Sequence, residues 1–439
     1  MAVECGRANL FGGSGRAIGF PRLAATISGM DRMTQDTAFT PLRLGPLVLR
    51  NRFVKSGANE GMSRGGLPTR ALVEHHRAIA AGGTALCTVA YGAISPEGRT
   101  FADQLHLHPA AIAPLRVLTD AVHGEGAAAS LQITHGGAFS FLKQPDGRRP
   151  GSASGGFNPT GALHGAPFKR ALTVAEMEAL ADRFAEAALM AAEAGFDAVE
   201  IHMGHGYLLS QFLSRGENRR RDDFGGDMAG RARFPRMVLQ RVLDAVGQRL
   251  AVVCKIGVFE GYRGGNSLAD VVTLARLLES DGAHMLVLSG GMNVQSPWWI
   301  FGSKMPVADM KTHEPSRIGR LALDALALMQ PRRLAFSELY FRDYSRAVRA
   351  ATRLPLGYLG GVKSRANVAA VMGDGFDAVV LGRALLHDPD LVRGFESGAL
   401  AATGCTSCNR CVATMHTPAG THCVLHGTPD PRANQIVAA

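Results

Sequence analysis

Glu200-Ile-His-Met-Gly-His-Gly-Tyr-Leu-Leu-Ser-Gln-Phe-Leu-Ser214 is the stretch from which the fold is read. It opens at the end of a short β-rich run, 198–201, and passes through a glycine-bearing loop into an apolar segment. His202, His205 and Tyr207 follow the run directly. In a parallel α/β fold the C-terminal mouth of a strand is where ligands and chemistry collect. Two imidazoles with a phenol beside them suit a site that binds an oxyanion or carbonyl and delivers a proton. A single histidine there would be read as a cap on loop backbone, but the cluster and its companions elsewhere point to a site.

Working outward, the chain from about residue 39 alternates short β-rich runs with helical patterns. The runs are 52–56, 85–90, 128–133, 198–201, 251–256, 285–289, 356–359 and 378–381. The clearest helical segments are 69–81, 109–123, 173–194, 230–246, 268–280 and 343–352. Thr173-Val-Ala-Glu176 reads as a capping box, and Met177, Leu180, Phe184 and Ala188 recur at helical spacing behind it. Glycines close several helices, at Gly82-Gly83, Gly195 and Gly282. Eight strands with crossover helices predict an α/β fold of the (β/α)8 TIM-barrel type. The alternative, a doubly wound sheet, wants one Gly-rich turn and one crevice, whereas here polar residues follow most strands. Two long connections interrupt the alternation. Segment 136–172 follows the third strand; segment 290–315 follows the sixth, carries Trp298-Trp299 and leads to a further helix at 317–329. Loops of this length are usually lids or excursions, and both lie on the site face. Segment 332–340 reads as an extra strand.

Composition narrows the class. The 439 residues are 46% hydrophobic and 19% charged, ordinary for a chain with a sizeable core. The net charge of +10 is scattered, with no Lys/Arg block interleaved with aromatics, so nucleic acid is not the expected partner. Anionic cofactors or small substrates suffice to explain it. No apolar run reaches membrane-spanning length. Of seven cysteines, Cys405, Cys408, Cys411 and Cys423 cluster near the end. That pattern argues for a reducing, cytoplasmic setting rather than a disulfide framework. Residues 1–35, rich in Gly, Arg and Ala, read as a disordered extension or an over-long start; 36–400 form the barrel, and 401–439 a Cys-rich tail. A homo-oligomer is compatible with all of this.

The strand ends assemble the candidate site. Strand one runs into Ser56-Gly-Ala58, small residues that let a flat ligand approach the backbone. Strand two leads through Tyr91 and Gly92, and strand three supplies Gln132 and His135. Lys255 lies within the apolar run Val252-Val-Cys-Lys-Ile-Gly257. A buried lysine must be paired or face a polar centre, so it is either half of an ion pair across the barrel or a ligand-binding cation. Strand seven ends in Gly360-Gly361 and strand eight in Gly382-Arg383. Glycines at those two strand ends form the usual phosphate cradle of this barrel.

Taken together, these motifs resemble the Old Yellow Enzyme family of FMN-dependent NAD(P)H oxidoreductases. The resemblance spans roughly 39–425. Its marks are Leu49-Arg-Asn-Arg52, Leu131-Gln-Ile-Thr-His-Gly-Gly137, the His202/His205/Tyr207 stretch, Arg231-Ala-Arg-Phe234, Ser289-Gly-Gly291 and Leu381-Gly-Arg-Ala-Leu385. The resemblance implies that Gln132 bonds the flavin's pyrimidine edge and that Lys255 faces the flavin where negative charge develops. Ser56, Ala58 and Gly92 would lie along the flavin, and Gly361, Gly382 and Arg383 would hold its phosphate. His202 and His205 would bind the acceptor's carbonyl or nitro oxygen, and Tyr207 would protonate its α-carbon. Hydride would come from NAD(P)H. The chain departs from the family at Ala58-Asn59 and at Gly230; Glu60 is compatible with a branch of the family that has an acid after strand one, but the resemblance supplies no role for it. The cysteine tail is similar to the [4Fe-4S] site of larger fused members; zinc, or reduced thiols in a cap, remain alternatives. Two other functions stay open: an N-methyl amine dehydrogenase with Trp298, Trp299 and Tyr91 as an aromatic bowl, and a non-catalytic or metal-binding barrel.

Overall fold

A computed structural model describes residues 37–437; the expected extension at 1–35 lies outside them. Eight parallel strands close into a barrel. They are β1 (Phe53–Lys55), β2 (Leu86–Ala93), β3 (Ala128–Thr134), β4 (Ala198–Met203), β5 (Ala251–Phe259), β6 (Met285–Gly290), β7 (Leu356–Leu359) and β8 (Ala378–Leu381). Each of the eight β-rich runs read from the sequence is one barrel strand. Helices α1 (Arg70–Ala81), α2 (Ile112–His123), α3 (Val174–Glu193), α4 (Met228–Val246), α5 (Leu268–Ser280), α6 (Arg342–Arg349), α7 (Arg365–Gly373) and α8 (Leu391–Ser397) follow the strands in order. Thr173 and Glu176 cap α3 reciprocally, as the sequence predicts.

Side chains alternate across each strand, so one set fills the barrel and the other meets the helices. Val54, Leu86, Ala198, Val253, Met285, Val287 and Val380 form the inner core. A hairpin, Leu42–Leu44 with Leu47–Leu49, plugs its N-terminal end with Leu42, Leu44 and Leu49. Apolar packing therefore seals the lower barrel. Further up the strands the inward positions turn polar: Ser56, Gln132, Glu200 and Lys255.

The two excursions are as long as expected. The first holds a small three-stranded sheet and a short helix. The second holds helices Pro297–Phe301, Val307–His313 and Arg317–Met329. Segment 332–340 is not a strand. It is an irregular turn folded against the β7 end, where Leu339 N–H donates to the Gly361 carbonyl at 3.3 Å. Its apolar side chains are single packing contacts rather than one face of a ladder. The tail returns to the top of the barrel. Thr421 N–H donates to Glu60 O and Thr421 Oγ1 to Asn59 O, both at 2.7 Å. Among the described residues no helix is long and apolar enough to cross a membrane.

Candidate active site

The base of the site is a charged layer inside the barrel. Lys255, 1% exposed, donates to Ser56 Oγ at 3.0 Å and Gly57 O at 2.8 Å, and lies 3.8 Å from Glu200 Oε1. Gln132 Nε2 donates to the same Glu200 oxygen at 2.6 Å. Lys255 is thus half of an ion pair, and its ammonium, with three protons of which two are used here, keeps one for a further acceptor. Burial pulls its pKa below that of ordinary lysine, and the Glu200 carboxylate opposes the fall. Gln132, tied through its NH2, keeps its carbonyl oxygen as an acceptor. A Cβ on Gly57 would sit 2.7 Å from Gln132 Nε2, so the backbone passes this close only as glycine.

A second buried pair stands behind β1. Lys55 bonds the carboxylate of Glu60 and donates to Thr88 O at 3.0 Å, while Glu60 Oε2 accepts from Ala90 N–H at 3.1 Å. Glu60 therefore ties β1 to the β2 segment that carries Tyr91. Lys55 was not singled out from sequence, although the argument applied to Lys255, a lysine in a buried strand, covers it equally. Glu200, Ser289 and Asn293, whose backbone N–H donates to His205 O at 3.0 Å, were likewise passed over as site residues, because nothing local distinguishes them from ordinary loop and strand polar groups.

Above this layer the three predicted side chains converge. The His202 and His205 rings lie 5.0 Å apart, and the His202 and Tyr207 rings 4.6 Å apart. His202 Nδ1 accepts from Gly204 N–H at 3.2 Å, which places its proton on Nε2. His205 occupies a left-handed conformation, φ 60°, between Gly204 and Gly206, and its Nε2 shares a 2.8 Å hydrogen bond with Ser289 Oγ. Burial, then neighbouring Lys255, lowers the His205 pKa to about 3. Burial, His205 and Lys255 push His202 well below its ordinary value. Burial and the adjacent Tyr91 raise the Tyr207 phenol well above 10. At neutral pH the mouth therefore presents neutral imidazoles and a protonated phenol over a charged floor.

The remaining predicted residues divide. Ser56 is buried in the charged layer and Ala58 is exposed at the rim. A Cβ on Gly92 would meet Leu107 Cδ2 at 2.3 Å, so packing accounts for that glycine. Gly361 has φ 77°, and Gly382 opens into free space ahead of the short helix Arg383–His387. The Arg383 guanidinium bonds Asn409 Oδ1, donates to Phe301 O at 2.8 Å and borders the cavity of the tail cysteines. It stands between the end of β8 and the tail. Trp298 packs with Met305 and Val412, and Trp299 against Phe259 at 5.2 Å, so they make no bowl with Tyr91. Cys405, Cys408, Cys411 and Cys423 line one cavity. Among the described residues, the set tight enough for a single ion is His387, Cys423 and His426, not the four thiols.

A closed parallel barrel with a buried lysine, an amide acceptor and glycine-lined strand ends leaves room for a flat anionic cofactor at its mouth. Comparison with known proteins gives the class. The model of the NADH:flavin oxidoreductase / NADH oxidase family matches residues 37–296. The 4,4'-dithiodibutanoate disulfide reductase of Rhodococcus erythropolis is 37% identical over 393 residues, 88% of this chain and 94% of that one. The NADH oxidase of Thermoanaerobacter brockii is 29% identical over 377 residues, 84% of this chain but 52% of that protein. The structure of morphinone reductase superposes with a TM-score of 0.64 at 26% identity, covering 84% of this chain and 92% of that one. The chain belongs to the NADH:flavin oxidoreductase / NADH oxidase family. It is an FMN-dependent oxidoreductase that takes hydride from NAD(P)H.

Proposed function

We propose that His202 and His205 hold the acceptor's carbonyl oxygen and that Tyr207 protonates the carbon next to it. The convergence of these three side chains, each held in its neutral form, carries the reading. FMN, when bound, takes hydride from NAD(P)H and delivers it to the acceptor's β-carbon. Lys255 and Gln132 suit the flavin's ring edge, offering one free ammonium proton and one free carbonyl oxygen. The backbone at Gly361 and Gly382 suits the phosphate, with Arg383 beside it. His202, its proton fixed on Nε2 by Gly204, donates toward the acceptor oxygen as negative charge builds there. The high pKa of Tyr207 keeps its proton available without yielding it to water. Separate kinetics of the two half-reactions test this. His202→Ala and Tyr207→Phe should slow alkene reduction and spare flavin reduction by NAD(P)H; equal loss in both halves would refute the assignment.

The likeness to a disulfide reductase favours one alternative acceptor, a disulfide whose S–S bond is cleaved by two electrons, with the leaving thiolate protonated. Assaying 4,4'-dithiodibutanoate beside 2-cyclohexen-1-one decides between them. For the tail, we infer a [4Fe-4S] cluster held by Cys405, Cys408, Cys411 and Cys423. Thiols that share a cavity yet do not close to single-ion spacing suit a polynuclear cluster better than zinc. Iron and acid-labile sulfide in anaerobically purified protein test it, and stoichiometric zinc would refute it.

A further inference from the structure

Tyr207 belongs to a closed circuit of rings. Its centroid lies 5.3 Å from Tyr91, and Tyr91 lies 6.3 Å from Phe101. Phe101 lies 5.4 Å from His416, and His416 lies 6.4 Å from Phe141. Phe141 is 5.4 Å from Phe139, and Phe139 returns to Tyr207 at 5.6 Å. The six rings come from four separate segments: the β4 loop, the β2 end, the β3 excursion and the cysteine tail. Burial grades along the circuit. Tyr207 and Tyr91 are 6% and 7% exposed, the three phenylalanines are half-buried, and His416 is exposed. The circuit thus runs from the proton-donating phenol at its floor to a tail residue at its rim.

His416 is held firmly there. Its segment lies between Cys411 and Cys423 and is docked onto the residues that follow β1. Besides the Thr421 bonds, Asn59 Nδ2 reaches Met415 Sδ at 3.6 Å, and a Cβ on Gly61 would fall 2.0 Å from Met415 O. Backbone this close leaves the segment little freedom to swing aside. The rim is therefore a built wall.

We propose that this collar is the acceptor's entry and that His416 is a specificity-determining residue, selecting flat conjugated acceptors that extend beyond the reacting alkene. Aromatic faces and edges prefer one another over saturated groups. A planar acceptor with its carbonyl at His202 and its α-carbon at Tyr207 would carry its far end up the collar toward His416. A small cyclic enone would stop at the floor. This rests on the assignment of Tyr207 as proton donor.

The test compares trans-chalcone with 2-cyclohexen-1-one on the FMN-loaded enzyme. His416→Ala should lower the chalcone-to-cyclohexenone ratio of kcat/KM by about 3- to 10-fold, mostly through the KM for chalcone. His416→Phe should restore the ratio, because it keeps an aromatic edge. His416→Leu, which keeps bulk without a ring, should behave like His416→Ala and serves if the alanine variant loses FMN. An unchanged ratio, or a phenylalanine variant as poor as the leucine one, would overturn the proposal. A wild-type enzyme that reduces its flavin with NAD(P)H but passes hydride to neither enone would instead overturn the reading on which the proposal rests.

Discussion

Replacing Lys255 separates the two roles the structure gives it. Its ammonium and the Glu200 carboxylate are 3.8 Å apart, with both side chains almost fully buried. At an effective dielectric near 20 that separation is worth about 4 kcal/mol, which is a ceiling on the coupling. Lys255→Met leaves a buried carboxylate answered only by Gln132, so it should destabilise the fold by roughly 3–5 kcal/mol. Glu200→Gln leaves the cation with Ser56 Oγ and Gly57 O and should cost less. Because the residues are neighbours, the double variant should cost less than the sum, by roughly 2–3 kcal/mol. Urea unfolding of the FMN-free wild type, both single variants and the double variant measures this. FMN titration of the same proteins measures the second role. Lys255→Met should weaken FMN binding by about 10- to 100-fold, the worth of one charged hydrogen bond, whereas Glu200→Gln should change it little. A coupling near zero would mean the pair is a geometric accident. Undiminished FMN affinity in Lys255→Met would mean the free ammonium proton does not meet the flavin.

Tyr207→Phe keeps the ring contacts and loses only the hydroxyl; reduction of an activated alkene should slow by about 10²–10⁴-fold, while a quinone, which needs no carbon protonation, should be spared in rapid-mixing traces. His202→Ala should weaken phenol binding, read as the charge-transfer band of the oxidised enzyme, without slowing flavin reduction to the same degree. Burial raises the Glu260 pKa to about 7, above its unfolded value, so its contribution to stability is complete below about pH 4.5 and is lost as pH rises toward 7; Glu260→Gln should remove up to roughly 3 kcal/mol of that slope in unfolding measured from pH 4.5 to 8. His205, depressed to about 3, acts oppositely: its contribution is full above pH 6.5 and is lost as pH falls toward 3, so His205→Gln should flatten the acid limb of the same profile.

The barrel was legible because each strand is a short apolar run bounded by glycine or a capped helix, a pattern that local chemistry fixes. α7 and α8 were not read, since Arg365–Gly373 and Leu391–Ser397 are short and carry a mixed apolar pattern. Segment 332–340 has the apolar content of a strand, yet every barrel edge is already paired and leaves no place for one. At the site, His202, His205, Tyr207, Gln132 and Lys255 stood out because a polar group in or just past an apolar strand is costly to bury unless a partner or ligand meets it. Glu60 and Lys55 find each other behind β1, and Phe101, Phe139, Phe141 and His416 meet only when two loops and the tail close. No spacing rule reaches across such connections.

The charged floor and the neutral mouth are one electrostatic arrangement. Lys255 contributes to holding both histidines unprotonated, and the Glu200 carboxylate opposes the fall that burial imposes on the Lys255 pKa. Cationic imidazoles would bind an acceptor oxygen tightly before any charge had developed on it, spending the interaction on the ground state. Neutral donors gain most as the oxygen becomes negative, which is when stabilisation lowers a barrier. Under the proposed assignment the phenol follows the same logic: burial keeps its proton in place until a carbanion-like carbon is there to take it. Removing Lys255 should therefore do more than loosen FMN. It should raise the pKa of His205 and move the acid limb of the alkene half-reaction toward neutral pH, whereas Glu200→Gln, which leaves the cation in place, should not.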